Sequence, residues 1–149
     1  MNDVEKIKHL SIDSSFGILT RPALELVLFE DMITANIYVI DFSGIHKLNK
    51  EIGYETVNQM IKQSIITLTN KFTKLIIGRV FSGDEIAIID TNFNKYLMSD
   101  YADICICNNL GFKWVEFTDY WGNTIEENKR ILDELSQKLQ KNKFSKILW

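Results

Sequence analysis

The stretch Leu75-Ile-Ile-Gly-Arg-Val-Phe-Ser-Gly-Asp-Glu-Ile-Ala-Ile-Ile89 decides how this chain folds. Two apolar, β-branched runs flank the small residues Ser82 and Gly83, which predicts a β-hairpin from about Lys74 to Asp90. The turn carries two adjacent carboxylates, Asp84 and Glu85. A second apolar run, Asn36-Ile-Tyr-Val-Ile-Asp41, ends on another acid. That run is nearly all apolar through Phe42, the pattern of a central strand buried on both faces. Strand-borne acids brought to one point are the minimum for a divalent-metal, phosphate-handling site.

Working outward, Met1 to about Ile12 reads as a polar leader and Asp13–Leu19 as a loop. Thr20 is placed to cap a helix, with Pro22 tolerated in its first turn and helix formers running to about Met32. Val57, Met60, Ile61, Ile65 and Leu68 recur at helical spacing and predict a helix over roughly Glu55–Asn70. Thr91 to Asn108 is ambiguous. Phe93, Leu97, Tyr101 and Ile104 fit a helix closed by Gly111, whereas Ile104-Cys-Ile-Cys107 alone suits a strand; the helix is preferred. Phe112–Thr118 alternates apolar and polar residues as a strand does. Thr124 caps a last helix, with Glu126 and Glu127 in its first turn and Lys138, Lys141 and Lys143 near its end. This order predicts an α/β sandwich of the α+β kind: a central, mainly antiparallel sheet with flanking helices. The division expected is a leader over 1–12 and one domain over 13–149. Trp121 is expected to be partly exposed, as is Trp149 in the terminal Lys-Ile-Leu-Trp.

A chain of 149 residues, 46% hydrophobic and 25% charged, can bury a real core as one domain. Its net charge of −3 argues against general nucleic-acid binding. No apolar run reaches the length of a membrane span, and no signal peptide opens the chain, so no membrane partner is expected. Cys105 and Cys107 are too few and too close for a disulfide framework and read as free thiols of a cytoplasmic protein. His9 and His46 stand singly and offer no metal cluster.

Taken together, the pieces resemble the GGDEF family, the palm-type domains of diguanylate cyclases. Asp13-Ser-Ser-Phe-Gly-Ile-Leu-Thr-Arg-Pro-Ala-Leu-Glu25 follows the family's D-x-L-T-G-L-x-N-R-x-x-x-E opening, keeping Asp13, Gly17, Arg21 and Glu25. Asp41 to Gly53 follows D-x-D-x-F-K-x-I-N-D-x-x-G, keeping Asp41, Asn49 and Gly53. Ser82 to Ile86 stands at the signature itself, and Glu126 to Asp133 resembles the last helix's E-E-L-x-x-x-A-D. The chain is also similar to the small stand-alone palm enzymes called minimal CRISPR polymerases, which act on ATP.

The resemblance implies an enzyme that joins two nucleoside triphosphates, ATP or GTP, into a cyclic dinucleotide across a homodimer. It implies Asp41, Asp84 and Glu85 as catalytic acids. Asp41, Asp84 and the Phe42 carbonyl would hold Mg²⁺ or Mn²⁺. Nucleotide binding would fall to Ser82, Gly83, Ile45, His46, Asn49, Asn58 and Lys141. Several positions depart from the family: Val80 replaces an arginine, with Arg79 displaced by one; Ser43 replaces an acid; His46 and Gln140 replace lysines. Thr73-Lys-Leu-Ile76 stands where the feedback motif R-x-x-D would be. These losses favour an alternative, a degenerate module that binds nucleotide or a protein partner without turnover. Asn58 replaces the acid that reads guanine. An amide offers one acceptor and one donor edge, which suits adenine N1 and N6 or a relaxed choice of base.

Overall fold

The computed structural model describes residues 11–29, 33–80 and 84–141. The central strand is β3, Ile33–Ser43. It is longer than its apolar run because it pairs antiparallel along its whole length with β6, Gly111–Trp121. On its other edge it pairs antiparallel with β5, Glu85–Asp90, whose six residues are all buried. The predicted hairpin is present: β5 pairs antiparallel with β4, Leu75–Arg79. Its turn residues Ser82 and Gly83 lie outside the described residues. The short strands β1, Ile12–Asp13, and β2, Ile18–Leu19, complete a six-stranded sheet ordered β1-β2-β4-β5-β3-β6. Only β2 against β4 is parallel, so the sheet is mainly antiparallel as expected.

Alternation along the strands sends side chains into two cores. Tyr38, Ile40, Phe42, Ile86 and Ile88 face one of them. There they meet α2 (Ile45–Ile52), α3 (Tyr54–Lys71) and α4 (Leu97–Cys107). Ala35, Ile37, Val39, Ala87 and Ile89 face the other, under α1 (Arg21–Glu25) and α5 (Ile125–Lys141). Gly78 lets α1 lie on the sheet, since a Cβ there would come within 2.9 Å of Leu24.

Several expectations need correction. The helix capped by Thr20 stops at Glu25 instead of running on toward Met32, the last part of which lies outside the described residues. The amide of the buried Asn128 captures the Glu25 and Val27 carbonyls, and the Phe29 N–H donates to the Gly122 carbonyl. These contacts replace the next helical turn. The segment 13–19, read as a loop, carries the β1–β2 pairing, closed by Gly17 at φ +72° and by a Phe16 N–H bond to the Asp13 carboxylate. Helix α2 was not expected, because Ile45 is its one buried residue and glycines flank it at both ends. Helix α4 forms as preferred. The left-handed residue beyond it is Asn109, φ +57°, while Gly111 opens the next strand. Trp121 is fully buried under α5 rather than partly exposed.

Candidate functional site

Register brings the acids together. Asp41 lies directly opposite Glu85 on β5 and directly opposite Lys113 on β6. All three therefore share the sheet face that α5 covers. Like charges directly opposite one another destabilise a sheet, and this pair is resolved on both flanks. The Lys113 ammonium lies 3.7 Å from Asp41 Oδ2. The Ser136 hydroxyl donates to Glu85 Oε1 at 2.7 Å, and the Gln140 amide donates to Glu85 Oε2 at 3.3 Å. Ser136 and Gln140 are one helical turn apart on α5, so a single helix face serves both oxygens.

Asp84 sits in the bend just before β5. Its carbonyl accepts the Phe42 N–H at 3.3 Å, which ties the end of β3 to the start of β5. Burial and the nearby Asp41 charge hold its carboxyl above the usual aspartate range, against the pull of Arg79. Burial raises Asp41 as well, opposed by Lys113. Glu85 is raised by burial and by Asp41, and lowered by its bonds to Ser136 and Gln140 and by the Lys113 charge. The site is a rim of carboxylates held at a cost in desolvation, partly offset by Lys113, Ser136 and Gln140.

Among the described residues no three acidic, histidine or cysteine side chains form a ready-made metal cage. The chemistry of the donors nonetheless fits magnesium. Magnesium demands hard oxygens, keeps several waters, and binds through one or two carboxylates plus substrate phosphates. Asp41, Asp84 and the adjacent Phe42 backbone supply such a set, and the mutual repulsion of the two aspartates favours a cation between them.

The remaining expected residues divide. Asn58 lines a polar cleft of about 480 Å³ with Ser14, Ser15, Tyr54 and Gln59, between the β1–β2 turn and the start of α3. Asn49 is half-buried in α2, and its side-chain oxygen is buried without a hydrogen-bond partner among the described residues. His46 is exposed on α2. The Ile45 side chain packs in the core. Lys141 is exposed and stands about 100° around α5 from Gln140, off the face that meets Glu85. Arg79 faces away from that side too: its guanidinium stacks 4.2 Å over Phe16 and pairs with Asp13, while Val80 is buried beneath α5. Arg21, kept from the opening motif, is scaffold. It bonds the Val80 carbonyl at 3.0 Å and Asp133 at 2.8 Å, joining β4 to α5 through α1.

Sequence reasoning misses Lys113 and Ser136. The position of Lys113 in an alternating strand shows which residues share its face, but not that Asp41 lies opposite. The Ser136–Gln140 spacing is a usable signal for a shared helix face, without indicating what lies beneath it.

The topology is that of the GGDEF-type, palm-like fold. Solved structures agree. A microbial GGDEF domain described with cyclic di-GMP superposes with a TM-score of 0.69 at 14% identity, over 92% of this chain and 94% of that one. A diguanylate cyclase/phosphodiesterase from Caldicellulosiruptor saccharolyticus gives 0.69 at 17% identity, over 95% and 92%. The coiled-coil and GGDEF domain of DgcB from Caulobacter crescentus, in complex with c-di-GMP, gives 0.64 at 13% identity, over 93% and 85%. No protein-family model and no curated protein matches the chain. Among the described residues no helix is long and apolar enough to cross a membrane.

Proposed function

We propose that this chain is a metal-assisted nucleotidyl cyclase that joins two nucleoside triphosphates into a cyclic dinucleotide and releases pyrophosphate. The observation that carries the reading is the pair Asp41 and Asp84, adjacent strand-end carboxylates kept half-buried against mutual repulsion. A purely structural domain gains nothing from retaining such a pair. Asp41, Asp84 and the Phe42 carbonyl would hold magnesium, which when bound neutralises phosphate charge and acidifies the attacking 3′-hydroxyl. The protein's own contribution is positioning. Glu85, with both oxygens taken by α5, acts as the anchor that holds the helix over the acid rim rather than as a proton acceptor. The polar cleft at Asn58 supports a purine site, with the Asn58 amide reading the base edge and the exposed Tyr54 beside it. An amide there favours adenine or mixed use over guanine alone. Two copies facing each other would supply the two half-sites of the reaction.

Nucleotide binding without turnover is the second reading. It is favoured by the Lys113 ammonium already resting on Asp41 and by Gln140 on Glu85. Incubation with each of the four triphosphates plus Mg²⁺ or Mn²⁺, followed by mass analysis, separates the two. A cyclic dinucleotide that disappears in Asp84→Ala supports the cyclase. Binding with no product supports the second reading. Conversion of GTP alone, with ATP ignored in competition, refutes the adenine preference.

A further inference from the structure

Phosphate chemistry needs positive charge, and this chain lacks it at the expected places. Position 140 offers an amide that is committed to Glu85. Lys138 and Lys141 are exposed on other faces of α5 than the one carrying Ser136 and Gln140. Arg79 projects from the opposite face of the sheet, paired with Asp13 and stacked on Phe16, and its charge reaches Asp84 without reaching Asp41 or Glu85. Lys113 differs from all of these. Its side chain is only 11% exposed, and its ammonium flanks the acid rim from β6, 3.7 Å from Asp41, with its charge also felt at Glu85. That spacing is an ion pair longer than a hydrogen bond, on a flexible four-carbon stem that can swing between partners. The ammonium thus stands where the charge of a cation is needed, beside the carboxylate that would otherwise be bare.

We infer that Lys113 is a resident cation of the acid rim that grips nucleotide phosphate, so that this site binds nucleotide without a divalent metal. Lys113 takes over on β6 the phosphate-binding role that Gln140, committed to Glu85, leaves open on α5. The inference rests on the nucleotide reading above and deepens it. Metal, when present, then shares Asp41 with a lysine instead of holding it alone.

The test is binding rather than turnover. Calorimetric titration of ATP and of GTP into the full chain, in EDTA and in Mg²⁺, compares wild type with Lys113→Met and Lys113→Arg. Wild type is expected to bind in EDTA within about tenfold of its affinity in Mg²⁺. Lys113→Met should lose about tenfold or more in EDTA and far less in Mg²⁺, and Lys113→Arg should retain most of the EDTA affinity. Arginine keeps the charge and the ion pair with Asp41, so it separates loss of the cation from loss of the fold. Wild type that binds in Mg²⁺ but not in EDTA overturns this inference and leaves the nucleotide reading standing. Equal EDTA affinity in Lys113→Met and wild type overturns it also. No binding in either condition overturns both.

Discussion

Removing the Ser136 hydroxyl tests whether α5 is anchored through the acid rim. Ser136 is 3% exposed and donates at 2.7 Å to Glu85, itself 8% exposed. A hydrogen bond to a charged acceptor contributes about 1.5–3 kcal/mol. An unfolding entropy of about 2.1 cal/mol/K per residue, over the length of this chain, turns that loss into a drop in Tm of about 5–10 °C for Ser136→Ala. The drop depends on pH with a definite sign. Burial raises the Glu85 carboxyl, and the Ser136 bond opposes that rise by favouring the ionised form. Without the hydroxyl, the folded-state carboxyl rises further from its unfolded value. Wild type therefore holds its full advantage where Glu85 is ionised in both folded proteins, and loses most of it as the pH falls through their two raised carboxyl values, above the ordinary glutamate range, until both folded proteins carry the proton. Thermal melts followed by circular dichroism in EDTA, from pH 8 to pH 4, would show the gap narrowing on acidification. In a Glu85→Gln background the Ser136→Ala loss should shrink by about half or more, since a neutral acceptor bond is worth less. A gap under about 1 °C at pH 8, or one unchanged across the range, would refute the anchoring argument.

Further outcomes are expected. Asp84→Asn should raise metal-free stability at neutral pH by about 0.5–2 kcal/mol, because it removes a carboxylate raised by burial and by Asp41; the gain should vanish on acidification, and melting curves check both. Asn58→Asp should shift base preference toward GTP by about tenfold or more, measured as competitive binding of the two nucleotides. Gly78→Ala drives a Cβ into Leu24 and should cost about 1–3 kcal/mol in denaturant unfolding. A thiol reagent at pH 8 should label the exposed Cys107 alone in the native state, because burial pushes the Cys105 thiol up to about 12; denaturant should expose it. Above the ordinary thiol range the buried Cys105 should also lower stability, since only the unfolded state then releases its proton.

What the sequence makes legible follows from how local each signal is. The β4–β5 hairpin and β3 are readable because fully buried strands need continuous apolar runs, and β5 is buried at every residue. Helices α3 and α5 are readable from periodicity and capping. Asp41, at the end of its apolar run, and Asp84, just ahead of β5, stand out as acids at the edges of apolar runs. Register across β3 and β6 is a different matter, because it depends on pairing residues far apart in the chain, as Asp41 is from Lys113. Lys113 is therefore invisible as a site residue until the strands are aligned. The early end of α1 is hidden for the same reason: Asn128, a hundred positions away, takes the carbonyls that would have continued it. Ile45 shows the limit of motif position in another way: its side chain is drawn into the core by the packing of α2 on the sheet, which spacing from Asp41 does not reveal.

The central claim is that Asp41 and Asp84 together receive a divalent cation with a nucleotide's phosphates. Crystals grown with Mn²⁺ and a non-hydrolysable triphosphate test it through the anomalous signal of manganese. The account predicts a peak between the Asp41 and Asp84 carboxylates, close to the Phe42 carbonyl, with phosphate oxygens on the same ion. Triphosphate bound with no manganese at these aspartates, or manganese bound only elsewhere on the chain, would contradict it.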